Sequence, residues 1–144
     1  MIKLKTKNEE YDHFNRLSNE WWDDTGKFKI LHKIRPIRIE YILNQTKNKN
    51  IKNLDILDIG CGGGLVSESL AKLGGNITAV DFVNDNIKIA KQHSVKNKLK
   101  INYMCKDVEK MNLNKKFDII VMFEILEHLE DWKVFLKKID KNIK

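Results

Sequence analysis

Hydrophobic positions change their spacing near residue 54, and this change predicts two differently built parts. In the first part, apolar residues recur every three or four positions, which is the spacing of one helical face. The first such set is Tyr11, Phe14, Leu17 and Trp21. A helix is therefore predicted over residues 8–24. A second helix is predicted from Pro36 to Gln45, because proline is best tolerated in a first helical turn. The polar residues 46–53 form a predicted linker.

In the second part, short apolar runs alternate with helical patterns. Strands are predicted at Ile56–Ile59, Ile77–Val80, Ile101–Cys105 and Phe117–Phe123. The fourth of these is apolar enough for burial on both faces. Helices are predicted at 65–73, 84–96 and 131–139. This alternation is typical of an α/β fold with a parallel sheet, whose ligands bind at the carboxyl ends of the strands. The predicted organisation is a helical cap over residues 1–53 and an α/β domain over 54–144.

Composition excludes several classes of protein. The chain has 144 residues, 42% of them hydrophobic, which suits one folded domain. No apolar run approaches the roughly 18 residues that a membrane span needs. The net charge is +7, but the only arginines are Arg16, Arg35 and Arg38, and specific nucleic-acid readers favour arginine. We therefore expect no nucleic-acid partner. Cys61 and Cys105 show no paired spacing, which favours a reducing cytosol over a disulfide or zinc scaffold.

A glycine-rich segment, Gly60–Gly64, lies between the first predicted strand and its helix. Glycines allow a sharp turn and close approach by a ligand. Asp81 ends the next strand, where a carboxylate accepts hydrogen bonds from both hydroxyls of a ribose. A dinucleotide site would require glycine or alanine at position 65, which is Leu65. A loop of this form preceded by an acid, Asp58, resembles instead the nucleoside site of class I S-adenosylmethionine (SAM) methyltransferases. The third interpretation of this segment is a glycine-rich turn that binds no ligand.

The resemblance to class I enzymes extends to the next two strand ends. Phe82 follows Asp81 and would contact the face of the adenine; its alternative is an ordinary core residue. Asp107 and Val108 end the third strand, where that superfamily holds the adenine edge with a carboxylate and a backbone amide. The alternative for Asp107 is a helix N-cap. Gly60 and Gly62 would contact the cofactor through the loop.

The N-terminal part carries a more specific pattern. The segment WWDDTGKFKILH at 21–32 is followed by IRPIR at 34–38, and EILEH follows the fourth strand at 124–128. With the glycine loop, these segments resemble the ubiquinone-biosynthesis O-methyltransferases over nearly the whole chain. Arg35 departs from the family, which usually has asparagine there. The resemblance implies SAM-dependent O-methylation of polyprenylated hydroxyphenol and catechol intermediates, namely 2-polyprenyl-6-hydroxyphenol and 3-demethylubiquinol.

The resemblance also assigns roles to individual residues. Arg38 would bind the cofactor by pairing with its methionyl carboxylate, as a guanidinium fork suits. Gly60 and Asp81 carry over as cofactor residues. Phe123, where the family often has methionine, would contact the cofactor at the end of the fourth strand. The implied partners are a polyprenyl phenol or quinol substrate, the membrane surface and a ubiquinone-biosynthesis complex. The implied location is cytoplasmic, at the periphery of the inner membrane.

Glu124, Glu127 and His128 are spaced so that a helix would place them on one face. The acceptor phenol has a pKa of about 10, so a base or a metal ion must assist its reaction. One interpretation is a site for Mg²⁺ or a similar ion formed by all three residues, as the resemblance implies. The second is catalysis without metal by His128 as general base, with Glu124 beside it. The third is a solvated helix start.

The class I fold normally continues with three more strands, which are missing here. We therefore predict that the chain is the amino-terminal part of a longer enzyme or a truncated gene product. Two alternatives to the O-methyltransferase remain open at this point. One is a catalytically silent SAM-binding fragment that acts with a partner, and the other is a methyltransferase for a different acceptor, because glycine loops do not define substrates.

Overall fold

The structure is a computed structural model that describes residues 6–144; the side chain of Phe14, part of the predicted first apolar face, lies outside the description. The helices are α1 (Lys7–Leu17), α2 (Lys29–Asn44), α3 (Leu65–Lys72), α4 (Asn84–Lys96) and α5 (Trp132–Asp140). The strands are β1 (Asp55–Ile59), β2 (Asn76–Asp81), β3 (Asn102–Cys105) and β4 (Ile119–Met122). They form one parallel sheet in the order β3-β2-β1-β4. The predicted α/β class with N-terminal helices is confirmed.

Hydrophobic side chains pack on both faces of the sheet. Ile56 of β1 belongs to the cluster beneath α2, α3 and α4, which includes Leu70 and Ala90. Its neighbour Leu57 points to the opposite face and packs with Phe135 of α5. Successive residues of a strand face opposite sides, so two-sided burial explains the continuous apolar runs of the sequence.

The fourth strand is shorter and less buried than predicted. It spans Ile119–Met122 rather than 117–123, and Val121 is its only fully buried residue. Its place at the end of the strand order explains this, since an edge strand has a neighbour on one side only. Phe117 is nevertheless buried, outside the strand, in the cluster with α5.

The first predicted helix is interrupted. A capping box opens α1, in which Thr6 Oγ1 accepts from the Glu9 amide and the Glu9 carboxylate accepts from the Thr6 amide. The helix ends at Leu17 instead of continuing to residue 24, and a 3₁₀ turn follows at Ser18–Glu20. The Ser18 hydroxyl donates to the carbonyl of Asn15, a competing bond of the kind that weakens a helix.

The second predicted helix begins too late in the sequence-based assignment. The helix starts at Lys29, and Pro36 lies in its interior. Proline cannot donate to the carbonyl four residues earlier, so tertiary contacts must favour the first two turns of α2. Two such contacts involve Trp21. Phe28 stacks on its ring with centroids 4.1 Å apart, and His32 Nε2 lies 2.8 Å from its carbonyl oxygen.

Candidate functional site

The register of the sheet gathers three strand ends. Ile59 of β1 pairs with Val80 of β2 on one side and with Met122 of β4 on the other. The residues that follow these strands therefore emerge at one edge, beside a cavity of about 340 Å³. Nine of the predicted site residues line this cavity: Arg38, Gly60, Gly62, Asp81, Phe82, Phe123, Glu124, Glu127 and His128. Its size suits a small-molecule ligand.

Asp81 is the most firmly held of these groups. Its Oδ2 accepts from the Gly62 amide at 2.9 Å, and its Oδ1 accepts from the Val83 amide at 2.9 Å and from Asn86 Nδ2 at 3.3 Å. The side chain is buried, and this burial raises its pKa, although the hydrogen bonds oppose the rise. A carboxylate offers about four lone-pair positions, so three donors leave acceptor capacity toward the cavity.

The glycine loop needs its glycines. Gly62 has a φ of +53°, and a Cβ there would lie 2.3 Å from the Trp21 ring. At Gly63 a Cβ would also lie 2.3 Å from that ring. The cap therefore packs directly on the loop, and a larger residue at either position would displace it. Leu65, buried against Trp21 and Phe28, fills the space beside the loop.

A second tryptophan anchors the outer side of the loop. Trp22 Nε1 donates to the Gly63 carbonyl at 3.0 Å. Its ring stacks on His93 with centroids 3.4 Å apart and planes 7° apart. His93 Nδ1 in turn lies 2.8 Å from Oε1 of Glu68, which is 1% exposed. Trp21 and Trp22 thus contact both surfaces of the loop.

Asp58 of β1 also lines the cavity, two residues before the glycine loop. Burial raises the pKa of Asp58 from 3.8 to about 6. The nearby Asp81 charge adds to the rise, whereas the hydrogen bond from Ser67 Oγ (2.6 Å) and the charge of Arg38 oppose it. The sequence marked this acid as part of the loop pattern but not as a cavity group.

Arg38 reaches the cavity from α2. Its Nη2 donates to Oε1 of Glu124, and its guanidinium carbon lies 4.7 Å from the centroid of the Phe123 ring. The arginine side chain is 18% exposed, so its charge is partly shielded from water. These contacts join Arg38 to two predicted residues, Phe123 and Glu124, that lie more than 80 positions later in the sequence.

Glu124, Glu127 and His128 do not share one face of an α-helix. Glu124 has a φ of +55° and lies before a 3₁₀ turn at Leu126–His128. Three residues of 3₁₀ turn cannot align side chains as an α-helix does. Glu124 pairs with Arg38, while His128 Nδ1 lies 2.9 Å from Oε1 of Glu10 on α1. Among residues 6–144, no three histidine, cysteine or carboxylate side chains converge as metal ligands, so the predicted Mg²⁺ site is unsupported.

Asp107 and Val108 line a small adjoining cavity of about 40 Å³, which shares Gly60, Asp81 and Phe82 with the first. The Asp107 carboxylate pairs with Lys7 of α1 at 2.9 Å. Partial burial alone would raise the pKa of Asp107, but the hydrogen bonds from Lys7 and the Glu109 amide lower it overall. Asp107 therefore carries its charge at the predicted adenine edge.

Two contributors were not predicted from the sequence. Asn86 donates a hydrogen bond to Asp81, and Glu10 contacts His128. Asn86 lies in the first turn of α4, five residues after the ribose-binding candidate, and this spacing was its only local signal. Glu10 is 118 residues from its partner, so no local pattern marks it.

Comparisons with known proteins identify the family of this chain. A family model described as a methyltransferase domain matches residues 57–144. The chain belongs to the methyltransferase domain family. The match begins within β1 and includes the glycine loop, Asp81 and the end of β4, which are the elements that surround the cavity.

The names of the curated relatives are more specific than the description of the family model. The chain is 43% identical over 143 residues to a ubiquinone biosynthesis O-methyltransferase of Pelagibacter ubique, covering 94% of this chain and 60% of the relative. It is 45% identical over 124 residues to the enzyme of that name from Hydrogenovibrio crunogenus, covering 85% of this chain and 50% of the relative. The chain thus spans about half to three fifths of the length of these relatives.

Solved structures confirm the fold. Magnesium protoporphyrin IX methyltransferase from Synechocystis, crystallised with bound SAM, superposes with a TM-score of 0.75 at 18% identity, covering 100% of this chain and 74% of that one. The structure of a putative SAM-dependent methyltransferase from Methanococcus maripaludis superposes with a TM-score of 0.72 at 25% identity, covering 100% of this chain and 63% of that one. Within residues 6–144, every helix is too short or too polar to cross a membrane.

Proposed function

We propose that this chain binds SAM and forms the cofactor-binding part of an O-methyltransferase for polyprenylated hydroxyphenols and catechols. The observation that carries the proposal is the pairing of the glycine loop with Asp81 at the edge of the cavity. Ribose hydroxyls would donate to Asp81, the adenine would lie toward Phe82 and Asp107, and the methionyl carboxylate would meet Arg38. The similarity to the ubiquinone-biosynthesis enzymes supports the choice of substrate.

The charge of the cavity favours a sulfonium over a dinucleotide. Five carboxyl groups line it, against one lysine, one arginine and one histidine. The carboxyl groups are those of Glu10, Asp58, Asp81, Glu124 and Glu127. Like charges in a partly buried site repel, so a pyrophosphate would be disfavoured there. SAM brings a positive sulfonium and an ammonium group, which such a lining attracts.

The catalytic role of the chain's own residues follows from their positions. SAM supplies an electrophilic methyl group, and in-line displacement depends mainly on alignment by the site. His128 lines the cavity, and its Nδ1 lies 2.9 Å from Oε1 of Glu10. We propose that His128 accepts the proton of the acceptor hydroxyl. Arg38 would pair with the methionyl carboxylate of the cofactor, and Phe123 would contact the cofactor beside it.

An exposed apolar face beside the cavity supports an acceptor with a hydrocarbon tail. Ile30, Ile37 and Tyr41 of α2 are 58%, 67% and 63% exposed, and their spacing places them on one helical face. Ile30 also lines the cavity, so the apolar face continues from the site. We propose that the prenyl tail of the acceptor lies along this face. Contacts with a membrane surface or with other biosynthetic proteins stay predictions.

The test supplies methyl-labelled SAM and follows the label into acceptors. We expect transfer to a short-chain prenylated catechol and to a 2-prenyl-6-hydroxyphenol, and none to a non-phenolic amine. Binding of S-adenosylhomocysteine (SAH) without transfer would favour the silent SAM-binding chain, and transfer only to other acceptors would replace the substrate assignment. Failure to bind SAH at all would contradict the proposal.

A pair of variants tests the proposed position of the prenyl tail. Ile37→Glu should raise the KM for the prenylated catechol several-fold and leave the KM for unprenylated catechol unchanged. The matched control is Val95→Glu, at a 74% exposed position of α4 away from the cavity. Equal effects of the two substitutions, or an equal effect on both acceptors, would contradict the tail assignment.

A further inference from the structure

The Trp21 indole is linked to Asp81 through one intermediate side chain. Trp21 Nε1 donates to Asn86 Oδ1 at 2.7 Å, and Asn86 Nδ2 donates to Asp81 Oδ1 at 3.3 Å. Asn86 is 2% exposed and Asp81 is 7% exposed. The cap thus contacts the predicted ribose acceptor through a continuous buried hydrogen-bond chain.

The same tryptophan is fixed to α2 by separate contacts. Its ring stacks on Phe28 with planes 8° apart, and its carbonyl oxygen lies 2.8 Å from His32 Nε2. Its ring also lies against Gly62 and Gly63. A shift of the cap would therefore move the donor to Asn86 and loosen the packing on the loop at the same time.

The orientation of Asn86 depends on this link. A buried primary amide has an oxygen and a nitrogen of nearly equal size, and its partners decide which one points where. The indole, a donor only, fixes the oxygen of Asn86 toward the cap. The amide nitrogen then faces Asp81. Without the indole N–H, a flipped Asn86 would present an oxygen to the carboxylate, and the two acceptors would repel.

We propose that Trp21 is a positioning residue, which acts through Asn86 to orient Asp81, so that docking of the cap and binding of the ribose strengthen each other. The inference rests on the proposed function, since it names how the same site is regulated. Coupling of this kind is reciprocal. The cap favours the oriented carboxylate, and a bound nucleoside favours the docked cap.

Two single substitutions and their combination test this link by calorimetry with SAH. Trp21→Phe keeps an aromatic ring and removes the indole N–H. Asn86→Ala, in α4, removes the amide that connects Trp21 to Asp81. Each should weaken SAH binding about tenfold, the effect of one hydrogen bond to a charged group. The double variant should bind SAH no more weakly than the single variant with the lower affinity, because both substitutions break the same chain of hydrogen bonds.

A second readout separates positioning from simple loss of structure. In the wild type, SAH should slow hydrogen exchange at the first-turn amides of α2, which include those of Leu31 and His32. In Trp21→Phe this slowing should disappear. Trp132→Phe, at a 46% exposed site on α5, is the matched control and should keep both the affinity and the slowing.

Each outcome decides the inference. If the wild type binds SAH while Trp21→Phe binds within twofold of it, the link fails and the proposed function stands. The inference would also be overturned if the fold-loss of SAH affinity in the double variant equalled the product of the two single fold-losses. A wild type that does not bind SAH contradicts the proposed function and the inference together. If Trp21→Phe does not fold, Asn86→Ala alone gives the same decision from affinity and exchange.

Discussion

The substitution Asp81→Asn separates ligand binding from folding most cleanly. The asparagine has nearly the same shape but no charge and only one acceptor oxygen. In the structure, the carboxylate accepts from two backbone amides and from Asn86. After the change, one of the two backbone N–H groups would face an NH₂ group instead of an acceptor.

The expected loss of affinity follows from the hydrogen bonds to the ribose. A hydrogen bond to a charged acceptor contributes about 1.5–3 kcal/mol, against roughly 1 kcal/mol for a neutral pair. Two ribose hydroxyls would each lose about 1 kcal/mol or more, a total of roughly 2–3 kcal/mol, which corresponds to about a 30- to 150-fold weaker Kd.

The expected change in stability has two components. Burial raises the pKa of Asp81, so the ionised carboxylate is a cost to the folded state that asparagine removes. The unpaired backbone N–H costs about 1–3 kcal/mol in the opposite direction. These two effects oppose each other, so the melting temperature should change less than the affinity.

The assay is calorimetric titration with SAH, with circular dichroism to follow thermal unfolding. Asp85→Asn is the matched control, since that carboxylate pairs with the exposed Lys88 at 2.8 Å and is not a cavity-lining group. Affinity of Asp81→Asn within threefold of the wild type would refute the ribose assignment, as would an equal loss in Asp85→Asn.

Three further predictions concern other groups of the cavity. Arg38→Met should weaken SAH binding at least about tenfold, because a charge-assisted pair to its carboxylate is lost; unchanged calorimetric affinity would contradict this. Asp58 has a folded-state pKa of about 6, above 3.8, so its ionisation lowers stability as pH rises from 4 through 6. Asp58→Asn should therefore stabilise the fold by up to roughly 3 kcal/mol at pH 7.5 and little at pH 4; equal denaturant midpoint shifts at both pH values would exclude this. His128→Gln should lower kcat for the prenylated catechol at least about 100-fold with little change in SAH affinity; an unchanged kcat would remove His128 as the base.

The sheet and the central part of the site were predictable from the sequence. The apolar runs and the glycines around Asp81 are local signals, and the parallel register follows from strands that alternate with helices. Once that register is known, Gly60, Asp81 and Phe123 must emerge at one edge. The predicted residues at the strand ends therefore needed no knowledge of side-chain packing, whereas Arg38 of α2 was assigned through the family resemblance.

The errors arose where tertiary contacts override local preference. The helix containing Pro36 extends back to Lys29 because Trp21 packs on Phe28, a contact that the helical pattern does not encode. The residues directly after β4 do not form an α-helix, because Glu124 has a positive φ at the position where it pairs with Arg38. Contacts across such long separations depend on the assembled fold.

The most direct test of the account is a nuclear magnetic resonance titration of the isotope-labelled protein with SAH. The amides of Gly60, Gly62 and Val83 surround the proposed ribose site, and their signals should shift to saturation at one equivalent. NADH at the same concentration should leave them unmoved. Saturable shifts with NADH, or SAH shifts that avoid all three amides, would contradict the claim that this glycine loop and Asp81 bind SAM.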